Sequence, residues 1–368
     1  MLSSTKLHSF ASALIIYALS ASATQELTLK LTGTEIADGV DNLKVVASLS
    51  NTGDETLQVL NDPRSILSSH PTNSFSISDA DGAAPSFNGM KVKYSPSFAA
   101  RKNYTNAFTT LTPGQSVEVE HDLSNAYNFT QSGASRYNII PASTFYIYDL
   151  QTQEVSKLKA KIQGEHSSKL HGRLAVSRRS FAKRCDDDHD DDEEPTGPAF
   201  QKCNHKQRRQ IRRAVQVATK YAHNAHDYLT DHTNATDRYE TWFGEYNKTR
   251  HRTVTKHYAN LVEQGYKNYT YDCGTCDDNG TFAYVYTEPD AFGTIYLCGA
   301  FWRANATGTD SRGGTLVHES THFTKLAGTA DHVYGQSGAK DLAKEDPDEA
   351  ITNADTHEYF AENHPALD

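Results

Sequence analysis

The sequence predicts a multidomain protein, with a β-sandwich region followed by a mainly α-helical domain that carries a small antiparallel β-sheet. Three observations lead there. The chain has 368 residues, which suits two domains at roughly 100–200 residues each. Short alternating or β-branched segments fill residues 24–160, whereas apolar residues recur at three- and four-residue steps beyond residue 203. Charge divides the chain in the same region. Residues 1–184 carry 18 Lys+Arg and 15 Asp+Glu, and residues 185–368 carry 18 and 31, so a slightly basic half precedes a strongly acidic one.

Composition excludes several classes. Mean hydropathy is −0.65, and past the N-terminus no apolar run approaches the ~20 residues of a membrane span. The net charge of −10 argues against a general nucleic-acid binder. With 20 Tyr, 15 Phe and 2 Trp there is ample aromatic mass for a packed core. A monomer with neither nucleic-acid nor membrane partners is expected.

Residues 1–23 read as a signal peptide. Lys6 and His8 give a weakly basic start, Phe10 to Leu19 is apolar but too short to span, and Ala21-Ser22-Ala23 fits a cleavage site. Export is consistent with seven N-x-S/T sequons, at Asn103, Asn128, Asn234, Asn247, Asn268, Asn279 and Asn305. Residues 24–184 are read as a removable β-rich pro-region. Strand-like segments include 27–31, 43–49, 116–120 and 144–148, punctuated by turns at 51–54, 79–82 and 113–114. This region ends in a basic run with a dibasic processing site, Lys183-Arg184. Residues 185–199, with the acidic run Asp186 to Glu194, form a linker or a mature N-terminal extension.

The third unit, 200–368, begins helically: Ile211, Val215, Ala218, Ala222, Ala225 and Leu229 make one apolar face. Residues 281–286 and 294–298 read as paired strands, and helical patterning resumes at Gly314. Four of five cysteines lie here, Cys203, Cys273, Cys276 and Cys298. Two disulfides suit an exported chain, in any of three pairings. Cys185 is left over.

The strongest motif is His318-Glu319-Ser320-Thr321-His322. Histidines at i and i+4 share a helical face, so both imidazoles can reach one zinc ion, with Glu319 beside them to take a proton from water. A third protein ligand is needed. Lys325 stands where a metzincin needs Gly, so that pattern fails. Glu345, Glu349 and Glu358 are candidates by distance along the chain, and so are Asp331 and His332 in the segment Gly328–Gly335.

His-Glu-x-x-His followed by Gly-Thr-x-Asp-x-x-Tyr-Gly resembles the aspzincin, or deuterolysin-type, metalloendopeptidases. The stretches 239–244, 281–286, 296–302, 314–319 and 353–360 are similar to the branch of fungal peptidyl-Lys metalloendopeptidases. The resemblance covers about 200–368 and implies a zincin catalytic domain with one Zn2+. It implies His318, His322 and Asp331 as ligands, Glu319 as general base and Tyr334 as oxyanion donor. It also implies bridges Cys203–Cys273 and Cys276–Cys298. Asp355 and Glu358, three apart and so on one helical face, would form a pocket for the lysine after the scissile bond. The expected protein is a secreted zinc endopeptidase cutting protein and peptide substrates on the amino side of lysine. It would be made as a proenzyme, with its own pro-region as a partner. A broader-specificity deuterolysin-like protease and a non-catalytic secreted binding protein are the alternatives.

Overall fold

The computed structural model describes residues 24–102, 106–176, 197–288 and 290–368. The expected signal peptide, Lys183-Arg184, Cys185, the acidic run and the Asn103 sequon lie outside the described residues.

Alternation dictates the N-terminal region. In the strand Lys44–Asn51 every second residue, Val45, Ala47, Leu49 and Asn51, is buried, as a half-buried strand requires. It pairs antiparallel with Leu27–Gly33 on one side and with Ser116–Asp122 on the other. Lys161–Gln163 completes that sheet. A second four-stranded sheet contains Ile36–Asp38, His166–His171, Arg136–Pro141 and Phe75–Ser78, and a third contains Val155–Lys159, Thr144–Tyr148, Leu57–Leu60 and Phe108–Leu111. Inward residues of all three, among them Leu29, Val45, Val59, Ile77, Tyr137 and Ile147, share one apolar cluster. Asn51 is buried there without penalty, because its amide donates to Leu111 O and Glu55 O at 2.8 and 2.7 Å.

The C-terminal region is built on helices. The helix His205–Asp231 begins at a capping box, Asn204 with Gln207. It buries the six apolar positions that its periodicity selects. That face packs on the helices Lys248–Gln264 and Arg312–His322. The latter carries the histidine motif, is capped by Ser311, and is buried from Gly313 to His322. Full burial follows from its position, with His205–Asp231, Ala354–Glu362 and the sheet edge all packed against it.

The sheet beside these helices differs from the expected small antiparallel one. Ala199–Gln201, Thr270–Asp272 and Thr294–Leu297 run parallel, and Ala283–Val285 pairs antiparallel on the outer side of Thr294–Leu297. The reason is connectivity. Three helices separate the first two strands, which leaves room for the crossover that parallel pairing needs. Strand alternation in the sequence carries no direction. The fifth strand, Lys91–Lys93, comes from the N-terminal region and pairs antiparallel with Ala283–Val285. Cys203–Cys273 and Cys276–Cys298 are both bonded and pin the loops at one end of this sheet.

The helix Asp237–Phe243 stops at Gly244, with φ 75° and ψ −172°, a region essentially reserved for glycine. A Cβ there would also sit 2.1 Å from Ala343 O and 2.7 Å from Pro347 Cγ. Gly244→Ala should therefore destabilise by more than the backbone cost alone, itself on the order of 1–3 kcal/mol. Trp242 and Trp302 are the only two tryptophans, so tryptophan fluorescence in a denaturant titration reports this region. The midpoint should fall, with its slope unchanged.

Candidate active site

The motif helix projects His318 and His322 to one side, where Nε2 of one lies 3.2 Å from Nε2 of the other. After the helix the chain turns through Gly328, at φ +65°, and runs alongside residue 353. Ala330 N–H donates to Thr352 O at 2.8 Å, and Ala354 N–H donates to Ala330 O at 3.0 Å. Asn353 Oδ1 accepts from the backbone of His332 and Val333 at 3.0 and 3.2 Å. This clamp sets Asp331 between the imidazoles, its Oδ1 3.2 Å from His318 Nε2 and 3.3 Å from His322 Nε2.

The donor set suits a divalent metal. His322 Nδ1 lies 3.0 Å from Thr329 O, a carbonyl that can only accept, so the proton sits on Nδ1 and the Nε2 lone pair is free. His318 Nδ1 lies 2.9 Å from Asp355 Oδ1 and 3.3 Å from Glu358 Oε2, carboxylates whose charge favours the proton on that side of the ring. Two nitrogen lone pairs and a carboxylate oxygen thus converge in a buried spot, and Asp331 Oδ1 accepts no hydrogen bond there. A cation resolves that convergence. The other third-ligand candidates are not brought to this point. His332 turns to Thr352 Oγ1 at 3.0 Å, Glu349 is half exposed and lies 3.9 Å from His332, Glu345 is exposed, and Glu358 lies on the opposite edge of the His318 ring.

Glu319 is fully buried, and burial pushes its carboxyl well up. Its Oε1 accepts from Lys93 N–H at 2.9 Å, while Oε2 has no hydrogen-bond partner. Tyr334, also buried, donates its hydroxyl to Val92 O at 2.7 Å. The Val92–Lys93 peptide group therefore lies between Tyr334 on its carbonyl side and Glu319 on its nitrogen side.

Beyond that peptide group the Lys93 side chain enters a closed acidic pocket. Its Nζ lies 2.8 Å from Glu358 Oε2, 3.0 Å from Asp355 Oδ1 and 3.1 Å from Asp310 Oδ1. Its hydrogen bonds go to Asp355 Oδ1 at 3.0 Å and Tyr359 OH at 3.3 Å, while Glu358 and Asp310 pair with it by charge. The Tyr359 ring lies 4.8 Å from Nζ. Burial would lower the Lys93 pKa, but Asp355, Glu358 and Asp310 together hold it well above the ordinary value. Asp355 and Glu358 share a face of the helix Ala354–Glu362. Gly314 lets that helix approach, since a Cβ there would meet Glu362 Oε1 at 2.0 Å and Glu358 Oε1 at 2.9 Å. Asp310 was not among the residues singled out by sequence. It precedes the N-cap Ser311 in a loop, with Oδ1 accepting from Tyr359 OH and Oδ2 from Ser95 Oγ, both at 2.7 Å. Nothing in its spacing marks it.

Behind the pocket, His257 Nδ1 and His357 Nε2 lie 3.0 Å apart, and His357 Nδ1 lies 2.9 Å from Asn353 O. Burial first, then the neighbouring Lys256 charge for His257 and the paired His257 for His357, push these imidazoles down to about 4 and about 3. Both stay neutral in the fold while the unfolded chain takes up protons below 6.5. Their contribution is complete above pH 6.5 and is lost as pH falls toward 4. Denaturant midpoints followed by tryptophan fluorescence should drop over that window. A His257→Gln, His357→Gln double variant should show a shallower drop.

Comparison with known proteins then places the chain. Residues 228–362 match the aspzincin M35 family, described as lysine-specific metallo-endopeptidase. A peptidyl-Lys metalloendopeptidase of Armillaria mellea is 48% identical over 359 residues, 97% of each chain. That of Grifola frondosa is 48% identical over 355 residues, 96% of this chain and 97% of the relative. A solved zinc peptidase from Grifola frondosa is 52% identical and covers 45% of this chain and 100% of its own, with a TM-score of 0.44.

Proposed function

The chain belongs to the lysine-specific metallo-endopeptidase family, and from that premise we propose that it is a secreted zinc endopeptidase that hydrolyses peptide bonds on the amino side of lysine. The observation that carries the reading is Lys93. Its ammonium fills a three-carboxylate pocket while its own amide nitrogen touches Glu319 and the preceding carbonyl touches Tyr334. A lysine held so has its amino-side bond at the reacting groups.

In this reading His318, His322 and Asp331 hold one zinc ion. When bound, the ion supplies Lewis acidity for the scissile carbonyl and lowers the pKa of water near it. Glu319 takes a proton from the attacking water and delivers it to the lysine amide nitrogen that its Oε1 already faces. Tyr334 donates its hydroxyl to the carbonyl oxygen as negative charge grows there. The C–N bond breaks, leaving a carboxylate on one product and the lysine α-amine on the other. Asp310, Asp355 and Glu358 select lysine, because a buried ammonium must be fully paired. The planar guanidinium of arginine presents five donors in a fixed fork, a different shape from the one these carboxylates surround. Residues 24–184 are a β-sandwich pro-region, released at Lys183-Arg184, and 200–368 is the catalytic domain. The paired cysteines and the expected signal peptide support export.

Two substitutions test the roles. Glu319→Gln should cut turnover of Xaa-Lys peptides by at least ~10²-fold, the low end for a general base, while metal content measured by mass spectrometry stays at one per chain. Loss of metal together with activity contradicts the general-base role. The pocket is better tested at Asp310 than at Asp355, because Asp355 also touches His318 Nδ1. Asp310→Asn should raise KM for lysine substrates about tenfold or more, the effect of weakening a charge-assisted contact, with metal content unchanged. A cleavage profile that stays equally lysine-selective, with KM unmoved, contradicts the pocket.

A further inference from the structure

The strand Lys91–Lys93 lies in the candidate active site as a substrate would. It extends the sheet at the edge Ala283–Val285, with Lys93 opposite Ala283, Val92 opposite Tyr284 and Lys91 opposite Val285. Strand addition of this kind fixes a peptide by its backbone and leaves alternate side chains to be read by pockets. Here the backbone is held at each reacting group. Val92 N–H donates to Asp331 Oδ2 at 3.0 Å, Val92 C=O accepts from Tyr334, and Lys93 N–H donates to Glu319. Further contacts of the N-terminal region surround this strand. Lys91 Nζ donates to Thr329 O at 2.5 Å, Arg64 lies over the Tyr334 ring at 4.0 Å and donates to Asp331 O, and Phe98 packs on Phe282 at 4.8 Å.

We propose that the N-terminal region keeps the unprocessed chain inactive as a tethered substrate mimic. Lys93 occupies the lysine pocket and the Val92–Lys93 bond occupies the position of the bond to be cut. This rests on the function proposed above. A region that served only as a folding aid would not need a lysine ammonium fully buried in the specificity pocket, nor an amide aligned between Glu319 and Tyr334. The tether makes the block strong. An intramolecular strand competes at an effective concentration on the order of millimolar, so a micromolar peptide is excluded by roughly 10²-fold or more. Release then requires cutting between the two regions, followed by departure of the strand.

The test is a binding measurement on chains that cannot turn over. A fluorescently labelled peptide with a central Xaa-Lys bond is titrated by anisotropy into three proteins carrying Glu319→Gln. They are the intact chain, the intact chain with Lys93→Met, and the chain cleaved at the dibasic site after secretion. The expected result is tight binding to the cleaved chain, binding at least ~10²-fold weaker to the intact chain, and restored binding in Lys93→Met. Methionine keeps most of the apolar stem and removes the charge. An intact chain that binds as tightly as the cleaved one overturns the proposal. Failure of the cleaved chain to bind lysine peptides counts instead against the function on which it rests. A second arm does not depend on how the Lys93→Met chain folds. A synthetic peptide of residues 89–98 should displace the label from the cleaved chain, and the same peptide with Lys93→Met should not. Equal displacement by both also overturns the proposal.

Discussion

The site depends on one electrostatic constraint, the burial of several acids around a single point. Asp310, Asp355, Glu358 and Glu362 all lie in the interior, and one lysine ammonium answers the first three. Isolated buried carboxylates would neutralise rather than ionise. Glu362 shows this, since burial first and the neighbouring Glu358 and Asp310 next push its carboxyl well up, while it accepts from Ser311 N at 2.8 Å. The pocket is thus a cavity whose charge is tolerable only when an ammonium enters. In the proposed reading, charge balance calls for a cation and the shape of the carboxylate cage separates lysine from arginine.

The same acids reach the metal ligands. Asp355 and Glu358 touch Lys93 on one side and His318 Nδ1 on the other. Carboxylates behind a metal-ligating imidazole fix its tautomer and raise its basicity. In the proposed reading, recognition and ligand orientation therefore share two side chains. Asp310 touches only the recognition side among the contacts described, which makes it the more informative position.

The parts of this arrangement that are local were legible in the sequence. Histidines four apart and acids three apart lie together because helix geometry puts them there, and the apolar face of His205–Asp231 follows the same rule. The parts that are tertiary were not. Among the third-ligand candidates Asp331 stood apart only through resemblance, because its place depends on the Gly328 turn and the clamp on Asn353. Asp310 sits on a loop whose spacing is silent, and Lys93 is one of many lysines in a basic half. The direction of the sheet strands escaped as well, since alternation records which face is buried and not which way the chain runs.

Whether a metal-dependent site cuts before lysine is read by mapping, with mass spectrometry, the new peptide ends made when the processed protein digests an unrelated denatured protein, with and without a chelator. New N-termini should be overwhelmingly lysine and should vanish on chelation. Chelator-sensitive cuts scattered over many residue types would contradict the proposed function, leaving a metalloprotease whose acidic pocket does not choose the substrate.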